Sequence, residues 1–275
     1  MASRSRGPRM FAAEAICVRI GGLPFVLSAC NRGFVAMLKH RYANFLCEAG
    51  QDAAIRLDIN LVAPSCKEDD DDLQIRFEAG RWQMGRGDFR AEWNPASGHG
   101  VVCQPAYHYA IDSVMRIILS LTLARGGGFL LHSAGAIRNG RAFVFCGVSG
   151  AGKTTIARLA PPDAILLSDE ISCVRRIGAG YHAFGTPFAG ELGIAGEQVA
   201  APIAAMYFLR KGPRNAIGSL DPARAAATLL RNILFFTDDA ALIGGVFATA
   251  CDFMARVAAA ELTFKPDKSV WELIA

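Results

Sequence analysis

The sequence predicts an α/β protein in which a mixed-sheet core follows a β-rich region. Three observations carry that prediction. Segments of the first hundred residues alternate apolar and polar side chains, most cleanly in "AIRLDINLV", the period of a half-buried strand. Two apolar runs flank Asn139-Gly140, the strongest short hairpin signal, so the sheet that follows holds an antiparallel pair. The last third alternates strand-like and helix-like segments, as α/β chains do. The chain has 275 residues, 52% of them hydrophobic, enough for one large domain or two modest ones.

The start, "MASRSRGPRM", is basic through Arg4, Arg6 and Arg9 and reads as unstructured. The next ten residues carry Glu14 and Arg19, which argues against the apolar run of a secretory signal. Phe34, Leu38, Tyr42 and Phe45 recur at helical spacing, so one helix interrupts the strands. In the next strand Ile55, Leu57, Ile59 and Leu61 share one face; Arg56, Asp58 and Asn60 share the other. "LQIRFEAGRWQM" and "DFRAEW" repeat the habit with glycine-containing breaks, which predicts an antiparallel meander. Asp69 to Asp72 lack the alternating ligands and the glycine of a calcium loop and read as a solvated turn.

The joint falls near residue 104, giving an N-terminal region 1–104 and a second domain 105–275. The second opens on a helix striped by Ile111, Met115, Ile118 and Leu121, ending at Gly126 to Gly128. The hairpin around Asn139-Gly140 follows. "AILLSD" and "IAAMYFL" read as buried strands. Asp221 is an N-cap with Pro222 at the first helical position. "DDAALIGGVFATACDFMARVAAA" reads as a helix and "ELTF" as a short strand.

Bulk properties narrow the function. A net charge of +4 without a Lys/Arg stripe gives no nucleic-acid footprint. The apolar run nearest a membrane span, "SVMRIILSLTLARGGGFLL", is broken by Arg116, Arg125 and three glycines. Eight cysteines form no C-x-x-C pair and no zinc spacing. Their apolar neighbours predict buried free thiols, hence a reducing compartment and a cytoplasmic protein.

"GVSGAGKT", from Gly147 to Thr154, matches G-x-x-x-x-G-K-[ST] in full, between a predicted strand and a predicted helix. Gly147, Val148, Ser149, Gly150, Ala151 and Gly152 supply backbone that can curl so that N–H groups face phosphate oxygens. The helix N-terminus adds partial positive charge. Lys153 reaches the β- and γ-phosphates, Thr154 offers a hydroxyl to Mg²⁺, and Thr155 continues the first turn.

A nucleotide site also needs carboxylates. Asp169 and Glu170 end an apolar strand, with Asp169 sixteen positions after Lys153, a gap that one helix, a turn and one strand fill. His132 lies on the hairpin partner of the loop strand. Glu191 follows "FGTPFAG" and is a second candidate contact to metal or substrate. Arg214, in "KGPRNAI", is a candidate for stabilising transferred charge.

At these residues the chain resembles the HPr kinase/phosphorylase superfamily, and most the HPr kinase-like proteins of peptide-modification gene clusters, including kinases of lasso-type peptides. The matching stretches are "LLHSAGAI", "FCGVSGAGKTT", "LLSDEISCV" and "FGTPFAGELG". The resemblance implies a P-loop kinase core with the mixed sheet shared by PEP carboxykinases. It implies ATP and Mg²⁺, Asp169 as acid/base toward an acceptor hydroxyl, His132 near the phosphates, and Thr154, Glu170 and Glu191 around the metal. The implied partner is a Ser hydroxyl of a peptide or protein, and related kinases form homo-oligomers. The chain departs from that pattern at Glu170, where those kinases usually carry a second aspartate. Two other readings stand beside this one: a small-molecule kinase resembling adenylylsulfate kinase, and a nucleotide-binding sensor without transfer.

Overall fold

The computed structural model describes residues 12–48, 50, 55–64 and 72–274. The basic start at Arg4, Arg6 and Arg9, and Asp69 to Asp71 of the acidic run, lie outside the described residues. The chain divides into two compact units; one runs to Val114 without Arg19–Gly22, the other holds Arg19–Gly22 and Met115 onward.

The first unit carries a seven-stranded sheet. Its strands are β1 (Glu14–Ile20), β2 (Leu23–Ala29), β3 (Ile55–Leu61), β4 (Gln74–Glu78), β5 (Arg81–Arg86), β6 (Phe89–Asn94) and β7 (His99–Gln104), in the order β1-β2-β3-β7-β6-β5-β4. Ile55, Leu57 and Ile59 are buried and Arg56, Asp58 and Asn60 exposed, as the alternation predicts. The antiparallel meander holds only for β4 to β7. β3 instead lies parallel to both β2 and β7. Parallel neighbours need a crossover, and α1 (Arg32–Arg41) supplies it between β2 and β3. The Asn31 side chain caps α1, accepting the Phe34 N–H at 2.9 Å. The helical spacing overran the helix: a short 3₁₀ turn, Ala43–Phe45, follows and keeps Phe45 buried.

The division between units falls within α2 (His108–Arg125), past the joint predicted at 104. The predicted stripe of α2, Ile111, Met115, Ile118 and Leu121, is fully buried. After it come β8 (Gly128–Arg138), β9 (Arg141–Cys146), α3 (Lys153–Arg158), β10 (Ile165–Ser168), β11 (Ile171–Ile177), β12 (Gly180–Phe184) and β13 (Ala200–Lys211). The chain ends with β14 (Ala216–Gly218), α4 (Pro222–Asn232), β15 (Ile233–Leu234), α5 (Ala240–Arg256), β16 (Ala258–Phe264) and α6 (Val270–Ile274).

These strands form one nine-stranded mixed sheet. β8 and β9 are the predicted antiparallel hairpin. Asn139 and Gly140 both take positive φ, 52° and 72°, the backbone of a tight hairpin turn. On its other side β9 is parallel to β13, which is parallel to β16. Helices cover both faces. Leu229 of α4 and Phe253 of α5 pack with Phe129, Val144, Met206 and Phe208. Ile156 of α3 and Trp271 of α6 pack with Phe143, Phe145, Tyr207 and Leu209 on the other face. The fold is therefore α/β with a mixed sheet.

Two element expectations change. Ala258 to Ala260, read as helix, belong to β16; α5 stops at Arg256 and Val257 is already extended. Pairing with β13 overrides the helix propensity of alanine. "AILLSD" is not a buried strand: β10 lies at the sheet edge, with Ile165 exposed. No helix among the described residues is long and apolar enough to cross a membrane. None of the seven described cysteines is in a disulfide, and Cys30 and Cys251 are exposed rather than buried.

Candidate functional site

The site arises where five strands, β8 to β11 and β13, reach one level. β9 ends at Cys146, opposite Ser133 of β8, so the phosphate loop leaves the sheet beside His132. Across β8, His132 is paired with Ile171, the first residue of β11. β10 and β11 are successive pieces of chain running antiparallel to the two halves of β8. Asp169 and Glu170 are the break between them, rather than the end of one strand. A register shift in β10, between Leu166 and Ser168, precedes the break, and such bulges re-aim side chains beside active sites. The buried Ser168 hydroxyl accepts the N–H groups of Glu170 and Ile171 and fixes the turn. On the far side of β9, Phe208 of β13 is level with Cys146, which brings the end of β13 to the loop.

The cavity at this level measures about 250 Å³. Ser149, Gly150, Gly152, Lys153, Thr154 and Thr155 line one part of it; His132, Asp169, Glu170, Glu191 and Lys211 line the rest. The structure thus brings all four acidic and imidazole candidates to the predicted loop. Gly147, Val148 and Ala151 do not line it. Gly147 leads out of β9, Val148 is exposed, and Ala151 is packed into the core under the loop.

Gly150 and Gly152 sit at φ 75° and 110°, conformations that favour glycine. A Cβ at Gly152 would come within 2.6 Å of the Phe264 ring. The first bond of α3 runs from the Ile156 N–H to the Gly152 carbonyl, so the preceding N–H groups have no partner inside the helix. The buried Lys153 ammonium donates to the Gly147 carbonyl at 2.9 Å and the Val148 carbonyl at 3.4 Å. Burial lowers its pKa, while Cys146, Glu170 and Glu191 pull it back up.

The carboxylates differ in kind. Asp169 is 2% exposed. One of its oxygens accepts the Gly190 N–H at 2.8 Å and the other the Leu192 N–H at 2.9 Å. Those donors bracket Glu191, so Asp169 fixes the loop that brings Glu191 to the cavity. A Cβ on Gly190 would press on Glu170 and on the Asp169 carboxylate. Glu170 is half-buried, and burial raises its pKa; Arg116 and Lys153 oppose that rise, Asp169 and Glu191 reinforce it. Burial, and then Lys153, hold the His132 imidazole below its ordinary range, so it is neutral at neutral pH.

Divalent-metal chemistry constrains the set further. Among the described residues no three His, Cys, Asp or Glu side chains gather closely enough to hold a metal. Thr154, Glu170 and Glu191 at one cavity fit an ion that draws most of its ligands from phosphate and water, which is the habit of Mg²⁺.

Arg214 is exposed and does not line the cavity; Lys211 does. Sequence reasoning missed Lys211 and Arg116. Arg116 lies over the Phe188 ring at 4.9 Å and acts on Glu170. The available signal was a charged residue inside the apolar stripe of α2. For Lys211 it was the end of a strand parallel to the loop strand, where ligands gather in α/β sheets.

No curated protein matches the chain. A family match spans residues 108–274, from the start of α2 to the end of α6, and so takes in the whole cavity. On that match the chain belongs to the family described as SynChlorMet cassette protein ScmC.

Proposed function

We propose that the chain is an ATP-dependent kinase that transfers the γ-phosphoryl group to a hydroxyl, that of a Ser in a peptide or protein. One observation carries this reading: Ser149, Gly150, Gly152, Lys153, Thr154 and Thr155 of the predicted phosphate loop line the same 250 Å³ cavity as three carboxylates. Transfer to a hydroxyl requires a proton acceptor beside the phosphates, and Asp169 is placed to be one in this reading. The resemblance to HPr kinase-like proteins, and a sheet in which β9 has an antiparallel and a parallel neighbour, support a kinase core of that kind.

In this reading Lys153 and the loop N–H groups hold the β- and γ-phosphates. Mg²⁺, held by Thr154 with Glu170 and Glu191, would offset phosphate charge. The acceptor oxygen bonds to the γ-phosphorus as the bond to the β–γ bridging oxygen breaks. Asp169 takes the hydroxyl proton, and ADP leaves. His132, neutral, donates or accepts a hydrogen bond at the phosphates without adding charge. Most of the rate gain comes from positioning and charge neutralisation.

A second reading, a nucleotide-binding sensor, draws on Asp169 itself, whose two oxygens are already engaged by Gly190 and Leu192. ADP release measured with and without Ser-containing peptides separates the two. The kinase reading expects release that rises with peptide; tight ATP binding with no peptide-dependent turnover would favour the sensor. The hairpin β8–β9 and the large preceding sheet unit weigh against a small-molecule kinase.

A further inference from the structure

We propose that Lys211 is a second phosphate-binding lysine, taking the oxygens of a polyphosphate chain together with Lys153. This rests on reading the cavity as a nucleotide site. Its placement follows from strand alternation. Tyr207 and Leu209 of β13 pack on the face that carries α3, with Leu209 in the same cluster as Ala151 beneath the loop. Met206 and Phe208 pack on the opposite face. Lys211 is two residues past Leu209 and shares its face, so it emerges on the side where the phosphate loop leaves the sheet. A Cβ on Gly147 would lie 3.5 Å from the Leu209 Cβ, which shows how closely β13 approaches the first residue of the loop.

Charge separates Lys211 from its neighbour. Arg210, on the opposite face, pairs with Glu261 at 3.3 Å. Lys211 has no carboxylate within ion-pair distance among the described residues, although it lines the same cavity as Glu170 and Glu191. An unpaired ammonium on a flexible stem at the edge of a phosphate loop is the type of group that meets a phosphate oxygen as a point charge. Pyrophosphate, ATP and ADP all present such oxygens; adenosine presents none.

The test is calorimetric titration of ATP, pyrophosphate and adenosine into wild type, Lys211→Met, Lys211→Arg and Lys153→Met. The expected result is a loss of about 10- to 100-fold in affinity for ATP and pyrophosphate in Lys211→Met. Lys211→Arg recovers most of it, and adenosine binding stays unchanged. Two results overturn the proposal while leaving the nucleotide site standing. One is unchanged ATP and pyrophosphate affinity in Lys211→Met when Lys153→Met has lost both. The other is an equal loss for adenosine, which marks a structural effect. If wild type binds neither ATP nor pyrophosphate, the nucleotide reading fails and this proposal fails with it.

Discussion

Gly152 shows how one residue ties the loop to the core. It holds φ 110° above the Phe264 ring, so any side chain there meets both backbone strain and a packed aromatic. Gly152→Ala is expected to cost about 2 kcal/mol or more and to weaken ATP binding, checked by urea denaturation and titration calorimetry. Glu170 carries the opposite kind of tension. Burial raises its folded pKa. A raised carboxylate pKa means that the ionised form is less favoured in the fold than in the unfolded chain. The stability linked to Glu170 is therefore present at acid pH and lost as pH rises through its folded pKa. Glu170→Gln should stabilise the protein near pH 7 to 8 by less than about 1 kcal/mol, since the group is only half-buried, and the gain should vanish near pH 4. Melting temperatures measured across that range decide it.

At the scale of elements, local signals set several pieces without help from the rest of the fold. Asp221 caps α4, its carboxylate accepting the Arg224 N–H at 2.8 Å. Asp221→Ala should cost about 1 kcal/mol and leave ATP affinity unchanged, because the cap is exposed and does not line the cavity; denaturation midpoints and nucleotide titration read the two effects. Features written within a few residues were legible in the sequence: this cap, the Asn139-Gly140 hairpin, the alternation of β3 and the glycine loop. Features that depend on a distant partner were not. β3 is parallel to β2 because α1 carries the chain across, and its own pattern is the same for either orientation. The break at Asp169 and Glu170 exists because β8 pairs with two successive strands. Ala258 to Ala260 are extended because β13 offers an open edge beside them. The acids of the site were therefore readable as residues, while their geometry was not. Lys211 and Arg116 were missed because neither belongs to a motif; Lys211 lines the cavity from the end of β13, and Arg116 acts on Glu170 from α2.

For the whole molecule, the second unit is an α/β core with helices on both faces of a mixed sheet, and the glycine loop, His132 and the carboxylates lie where β8 to β11 and β13 meet. The first unit has its own seven-stranded sheet. The central claim is transfer to a hydroxyl. Its most direct test follows label from the γ-phosphate of ATP into a Ser-ended peptide, with Mg²⁺, in wild type, Lys153→Met and Asp169→Asn. Labelled peptide is expected with wild type, no label on the Ser→Ala peptide, and a rate lower by at least about 100-fold in both variants. Bound ATP with no labelled peptide would contradict transfer, and equal rates in wild type and Asp169→Asn would remove Asp169 as the proton acceptor.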